Sequence, residues 1–262
     1  MTDIFVTNDD GYNSAGFVPL IKELSKDFLV TAVVPDRGRS WISKAVTTKQ
    51  KLTLKKITKD GVEMFVLDGT PADCVQIGLY DVADTRPKMV ISGINIGLNI
   101  GHARTLSSGT IGAAMEAAID GVRAIAASLS IPMSYKDNTD FYHPKSYPLF
   151  EHAAQITAKV TSIMMNKTFH DYDLLSLNIP FDATVDTALE VTTPFKAPYG
   201  RLFHKKNGTY THSTPPIRYT NMKERTDLKT LSQGKISLTP ISLSLTPKSS
   251  LKEIEHILNE QW

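Results

Sequence analysis

The chain has one cysteine, Cys74, so it forms no internal disulfide, and it shows no cysteine and histidine spacing of a structural zinc site. That scarcity suits a reducing compartment, and a cytoplasmic location is expected. No apolar run approaches the ~18 residues of a membrane span, and Met1-Thr2-Asp3 leads into Ile4-Phe5-Val6 without the basic region, long apolar stretch and cleavage site of a secretory leader. No membrane partner is expected. Charge of one sign is not in excess either: 29 Lys and Arg stand against 27 Asp and Glu, a net +2. Such a chain carries no global field for nucleic acid, so any anion site is local.

What is present is core. Hydrophobic residues make up 41% of 262 and charged residues 21%, enough for one large α/β domain or a domain with an appendage. Ile4 to Thr7 is a β-branched and aromatic run halted by Asn8-Asp9-Asp10-Gly11, a strand end. Phe17, Leu20, Ile21 and Leu24 then recur at helical spacing, and Leu29 to Val34 runs into Pro35-Asp36, completing a βαβ unit. Residues 44 to 67 read as an antiparallel excursion with a Lys59-Asp60-Gly61 turn. The six lysines from Lys44 to Lys59 are taken as a solvated strand face and given no function.

Thr70 and Pro71 mark a helix entry that makes Cys74 a core residue rather than a nucleophile. Met89 to Ser92 reads as a buried strand running into a loop from Gly93 to Gly101. Ser108-Gly109-Thr110 opens an alanine-rich helix, and Ala124 to Leu129 is another strand. Further on, Leu149, Ala153, Ile156, Val160 and Ile163 make a helical stripe, followed by a strand from Asp173 to Asn178. Five prolines between Pro180 and Pro216 suggest extended arms or hairpins of the kind that pack on another subunit. A late strand through Ile236, Leu238 and Ile241 and a terminal helix from Leu251 to Leu258 complete the chain.

Parallel strands collect their carboxyl-end loops along one edge, so Asp9-Asp10, Ser40, Asn95 and Ser108-Gly109-Thr110 should face one crevice. Two aspartates confined there repel by about 4 kcal/mol at ~4 Å and an effective dielectric near ~20. The pair needs a cation or a shared proton, and all-oxygen ligands favour Mg²⁺, Mn²⁺ or Ca²⁺ over zinc. The plainer alternatives stay open: Asp9-Asp10 as a turn with a helix cap, Ser40 as a surface serine, and Asn95 and Asn99 as holders of left-handed turns. Free backbone N–H groups and the positive dipole end at Ser108, Gly109 and Thr110 suit a phosphate, although capping alone would also explain them. Together, a metal site facing an anion site points to phosphoryl transfer. An oxidoreductase is disfavoured because no G-x-G-x-x-G follows the first strand. Adjacent aspartates also differ from the Asp-x-Asp pair of a haloacid-dehalogenase phosphatase. His102, a lone loop histidine, is assigned no catalytic role.

These motifs resemble a known family. Thr7 to Gly11, Gly69-Thr70-Pro71-Ala72-Asp73-Cys74-Val75, Ser92-Gly93-Ile94-Asn95 with Gly97 and Asn99, and Ser108-Gly109-Thr110 with Ala113 to Glu116 are similar, in order and spacing, to the SurE (survival protein E) family of metal-dependent nucleotidases. A later segment, Thr226-Asp227-Leu228 with Gly234 to Pro240, resembles the family's late region. The resemblance implies a Rossmann-like α/β fold, with a mostly parallel sheet, helices on both faces and an extended C-terminal arm. It places a metal- and phosphate-binding core at residues 1–130. Residues 131–262 then form the rest of the same domain, with an oligomerisation arm at 191–227 and a C-terminal helix.

The activity implied is hydrolysis of nucleoside 5′-monophosphates by metal-activated water, in a homodimer or homotetramer. One divalent ion per subunit, Mg²⁺ or Mn²⁺, would be held by Asp9, Asp10, Ser40 and Asn95. Asp9 or Asp10 would accept the proton, and Asn99, Ser108, Gly109 and Thr110 would hold the phosphate. Other phosphomonoesters, short polyphosphate, or nucleotide binding without hydrolysis are the alternatives. The chain departs from the family in having Trp41 after Ser40, where glycine is usual, and Ser107 where tyrosine is common. Trp41 could stack on a base or pack at a subunit contact.

Overall fold

The computed structural model describes residues 3–136, 139–168, 171–196, 198–215, 223–246 and 248–261. At its centre is β1 (Ile4–Thr7), buried along its whole length, which is why it reads as an unbroken apolar run rather than an alternating one. Ile4 and Val6 enter one apolar cluster and Phe5 the other, the alternation that a strand imposes. α1 (Phe17–Leu24) buries Phe17, Leu20, Ile21 and Leu24 and leads to β2 (Val30–Pro35), parallel to β1.

β3 (Leu54–Lys59) and β4 (Val62–Leu67) form the expected antiparallel hairpin, and β4 joins β2 in parallel. Its turn residues Asp60 and Gly61 have φ of 49° and 80°, the left-handed pair that matches the twist of a two-residue hairpin. Three of the lysines in this region have ordinary partners: Lys44 with Glu116, Lys56 with Glu63, and Lys59 with Asn13. α2 (Pro71–Ile77) begins in a full capping box, Thr70 accepting from the Asp73 N–H and Asp73 from the Thr70 N–H. Cys74 is buried within it, and burial lifts its thiol well above the ordinary range, which leaves it a packing residue.

Two features differ from the sequence reading. β5 (Met89–Ile96) runs beyond Ser92, shifting register between Ser92 and Asn95 around a cis Gly93–Ile94 peptide and pairing again with Ser128 and Leu129. The segment taken as loop also contains a helix, α3 (Gly101–Ser107), whose Gly101 N–H donates to Asp227 Oδ2 at 2.6 Å. A partner 126 residues away holds that turn, so no local pattern announces it. α4 (Gly109–Ile119) follows, with Ser108 as N-cap, and then β6 (Arg123–Leu129), α5 (Met133–Lys136) and α6 (Pro148–Met164). Ile163, expected in the stripe of α6, lies in its last turn and is 56% exposed.

β7 (Leu174–Ile179) and β8 (Leu189–Val191) precede a separate exposed hairpin, β9 (Phe203–Lys206) with β10 (Thr209–His212). α7 (Asp227–Ser232), β11 (Ile236–Ile241) and α8 (Lys248–Gln261) end the chain. Pro216 and part of the proline-rich arm lie outside the described residues.

Among the described residues the main sheet has nine strands in the order β3-β4-β2-β1-β5-β6-β7-β11-β8, parallel except for β3 against β4 and β11 against β7. α1 and α6 pack together on one face and α2 and α4 on the other. The chain moves from β1 outward through β2 and then returns to β1's other side with β5. That reversal is the topological switch point of an α/β sheet, where carboxyl-end loops diverge and leave a crevice.

Phe5 tests the layered core. Its ring occupies the space over Gly78, where an added Cβ would lie 2.1 Å from Phe5 Cε2. Phe5→Ala should cost about 3–5 kcal/mol in urea unfolding; a loss below ~1 kcal/mol would contradict this packing.

Candidate active site

The loop after β1 is shaped first by Asn8, which is fully buried. Its Oδ1 accepts from the Gly11 N–H at 2.9 Å and its Nδ2 donates to the Gly11 carbonyl at 3.1 Å. Gly11 has φ 88°, and a Cβ there would meet the Arg37 backbone at 2.7 Å. The two loops at the carboxyl ends of β1 and β2 therefore touch, and the Arg39 N–H donates to the Asp9 carbonyl at 2.6 Å.

Asp9 and Asp10 are both buried. Thr110 Oγ1 donates to Asp9 Oδ1 at 2.7 Å, and the backbone N–H groups of Gly109 and Thr110 also bond the same carboxylate. Gly109 permits this approach, since a Cβ at that position would lie 2.8 Å from Asp9 Cβ. Asp10 Oδ2 accepts from the Ile96 N–H at 2.9 Å. Burial raises Asp9 to about 6, with the Thr110 and backbone hydrogen bonds opposing. Burial, together with the charge of Asp9, raises Asp10 to about 8. Among the described residues neither carboxylate belongs to an ion pair. Without a cation the pair therefore holds a proton near neutrality.

A cleft of about 570 Å³ opens at this edge. Asp9, Ser40, Asn95, Asn99 and Ser108 line it, so residues from four separate loops are brought together. Asp10, Gly109 and Thr110 sit behind that wall. Thr110 is fully buried, and its hydroxyl reaches the cleft through Asp9. Asn99 Nδ2 donates to Ser128 Oγ at 2.9 Å and to Thr110 Oγ1 at 3.3 Å, and the residue lines the cleft. Ser108 Oγ accepts from the Ile111 N–H at 3.1 Å, so it caps α4 while lining the cleft. Asn95 Nδ2 donates to the Gly97 carbonyl at 2.7 Å. Its Oδ1 is thereby left as a neutral oxygen donor.

Among the described residues no group of three or more His, Cys, Asp and Glu forms a metal cluster. The available donors are instead two carboxylates, an amide oxygen and a hydroxyl, with an uncompensated buried charge at their centre. This set fits a hard divalent cation and not zinc. His102 lies outside the cleft: it is exposed, its Nδ1 is 3.3 Å from the Phe195 carbonyl, and it lines an adjoining cavity of about 1270 Å³.

Three groups escaped the sequence reading. Asn178 on β7 brackets Asn99, accepting from its N–H at 2.9 Å and donating to its carbonyl at 3.3 Å. Tyr142, half-buried, has a raised pKa, first from that burial and then from the charges of Asp10 and Asp9. Tyr199, from the arm, bonds Ala103 and Ser107, and Ser107 lines the cleft. Only the asparagine on a buried strand carried a signal that could have found it, a polar residue interrupting an apolar run.

Sheet order and site together define a Rossmann-like α/β protein whose crevice at the switch point pairs buried carboxylates with a helix N-terminus. The family model described as Survival protein SurE matches residues 4–201, and the chain belongs to the SurE family. A protein named 5′-nucleotidase SurE from Methanococcoides burtonii is 32% identical over 269 residues, covering 97% of this chain and 98% of that one. One of the same name from a Thermoanaerobacter species is 36% identical over 248 residues, with 93% of each covered. The crystal structure of the SurE protein from Aquifex aeolicus superposes with a TM-score of 0.79 at 29% identity, covering 98% of this chain and 99% of that one. Among the described residues no helix is long and apolar enough to cross a membrane.

The carboxylate pair makes stability depend on pH in a definite sense. Both folded pKa values exceed the ordinary 3.8, so the folded state holds extra protons and loses stability as pH rises through the window from 3.8 to about 8. In chelator the melting temperature should fall between pH 5 and pH 8 more steeply for the natural protein than for Asp10→Asn, which should melt several degrees higher at pH 8. Parallel pH profiles for the two proteins in thermal scans would contradict the buried, uncompensated pair.

Proposed function

We propose that the protein hydrolyses nucleoside 5′-monophosphates to nucleoside and phosphate, as a divalent-metal-dependent phosphomonoesterase. The observation that carries this reading is the buried Asp9-Asp10 pair, without a cationic partner among the described residues, with Asp9 lining a cleft that the N-terminus of α4 also borders. Family membership and the 5′-nucleotidase relatives support the choice of substrate.

Asp9, Asp10, Ser40 and Asn95 would hold one Mg²⁺ or Mn²⁺, which supplies Lewis acidity to a phosphoryl oxygen and to water. Asp9, fixed by Thr110 and the α4 amides, keeps its carboxylate at the cleft wall and accepts the proton of the attacking water, with Asp10 as its alternate. Ser108 and Asn99 face the phosphate oxygens, while Gly109 and Thr110 bring the positive end of α4 up behind Asp9. In-line displacement would set the attacking water opposite the leaving nucleoside oxygen, with Asp9 and the α4 N-terminus both on the wall beside the phosphoryl group.

The chain works in this reading as a cytoplasmic homodimer or homotetramer. Support comes from α8, whose Leu251, Ile254, Ile257 and Leu258 recur at helical spacing and are each about half exposed.

Phosphate release from 5′- and 3′-nucleoside monophosphates should require Mg²⁺ or Mn²⁺ and vanish in chelator. Asp9→Asn should lower kcat/KM on the order of 10³-fold with an unchanged circular dichroism spectrum; near-natural turnover by that variant would remove Asp9 from the mechanism. Light scattering at micromolar concentration should give a dimer or tetramer mass, and a monomer mass would refute the assembly.

A further inference from the structure

Trp41 has φ 63°. A bulky side chain rarely adopts this left-handed backbone conformation, which favours glycine, and such outliers persist only where surrounding contacts over-determine them. The contacts here are specific. Two residues on, Ser43 donates from its N–H to the Ser107 carbonyl at 3.0 Å and from Oγ to the Leu106 carbonyl at 2.7 Å. The loop is thereby fastened to the end of α3, directly before the Ser108 cap. The Trp41 ring then meets Tyr199 with centroids 5.2 Å apart and takes the edge of His212 at 5.0 Å. Tyr199 is itself held, its hydroxyl donating to the Ala103 carbonyl and touching Ser107 Oγ.

Despite two ring contacts Trp41 remains 41% exposed, and it lines the same cleft as Asp9, Ser40 and Ser108. A rigid indole fixed beside a phosphate-sized polar site is a surface for a flat π system. We infer that Trp41 is the platform on which the nucleobase stacks, with Tyr199 and His212 as positioning residues that fix its plane. The platform reads the face of the base and not its edge, so purines gain more than pyrimidines. This rests on the nucleotidase reading for the identity of the substrate. It does not rest on it for the stacking itself.

The test separates the two. In a Trp262→Phe background Trp41 is the sole tryptophan, and adenosine titrated in chelator should quench its fluorescence saturably, with ribose giving no change. Without quenching, the platform fails whether or not the protein is an enzyme; quenching in a protein that releases no phosphate would keep the platform and sink the nucleotidase reading. For turnover, Trp41→Gly restores the residue suited to φ 63°, so its fold is kept. It should lower the ratio of kcat/KM for AMP over ribose 5-phosphate about tenfold, through KM, and Trp41→Phe should recover most of that ratio. Equal losses on both substrates would assign Trp41 to loop structure alone and overturn the inference.

Discussion

The arrangement depends on keeping two adjacent carboxylates, Asp9 and Asp10, out of water at the end of β1. Desolvation of this kind costs several kcal/mol per charge unless hydrogen bonds or a cation offset it. The fold meets part of that cost with directed donors: the Thr110 hydroxyl and the amides at the start of α4 on Asp9, and the Ile96 N–H on Asp10. The donors come from two elements, α4 and β5, so the ends of β1, β5 and α4 must converge within hydrogen-bond distance. Gly109 marks a place where that convergence leaves no room for a side chain, as Gly11 does where the loops after β1 and β2 meet.

Support for the site reaches well into the C-terminal half. Asn178 on β7 holds the Asn99 backbone, Asn99 holds Thr110 and Ser128, and Thr110 holds Asp9. Asp227, at the start of α7, bonds the N–H groups of Gly101 and Phe195 and so fixes the beginning of α3 to the arm. Buried networks of this type are stable only when every member is satisfied. Strands β7 and β11 thus do more than widen the sheet, because the position of Asn99 depends on them.

The sequence made the first half legible because its elements are announced locally. β1 is an unbroken apolar run, α2 carries a complete capping box, and Asp60-Gly61 has the chemistry of its turn. Asp9, Ser40, Asn95 and Ser108 could be grouped because parallel strands send their carboxyl ends to one edge. The remainder was hidden for physical reasons. α3 is held by Asp227 at long range, β5 resumes its ladder only through Ser128 and Leu129, and Thr110 has its hydroxyl turned to Asp9 instead of open space. Tyr199 meets the cleft residues Ser107 and Trp41 from an arm without periodicity, so spacing could not place it.

A net charge of +2 would suggest a protein indifferent to ions, yet the cleft concentrates opposite fields within one wall. Two carboxylates present negative potential, and the α4 N-terminus directly behind them presents positive potential. A phosphate dianion brought beside two ionised carboxylates is repelled by both, and the single helix end, equivalent to roughly half a charge, cannot offset that. Burial raises the pKa of both Asp9 and Asp10, and the charge of Asp9 raises Asp10 further. A proton can neutralise the pair, but only by occupying the oxygens that would accept one in the proposed hydrolysis. A divalent cation compensates the charge while leaving a carboxylate able to act as base, and for that reason the geometry favours metal-dependent hydrolysis over simple anion binding.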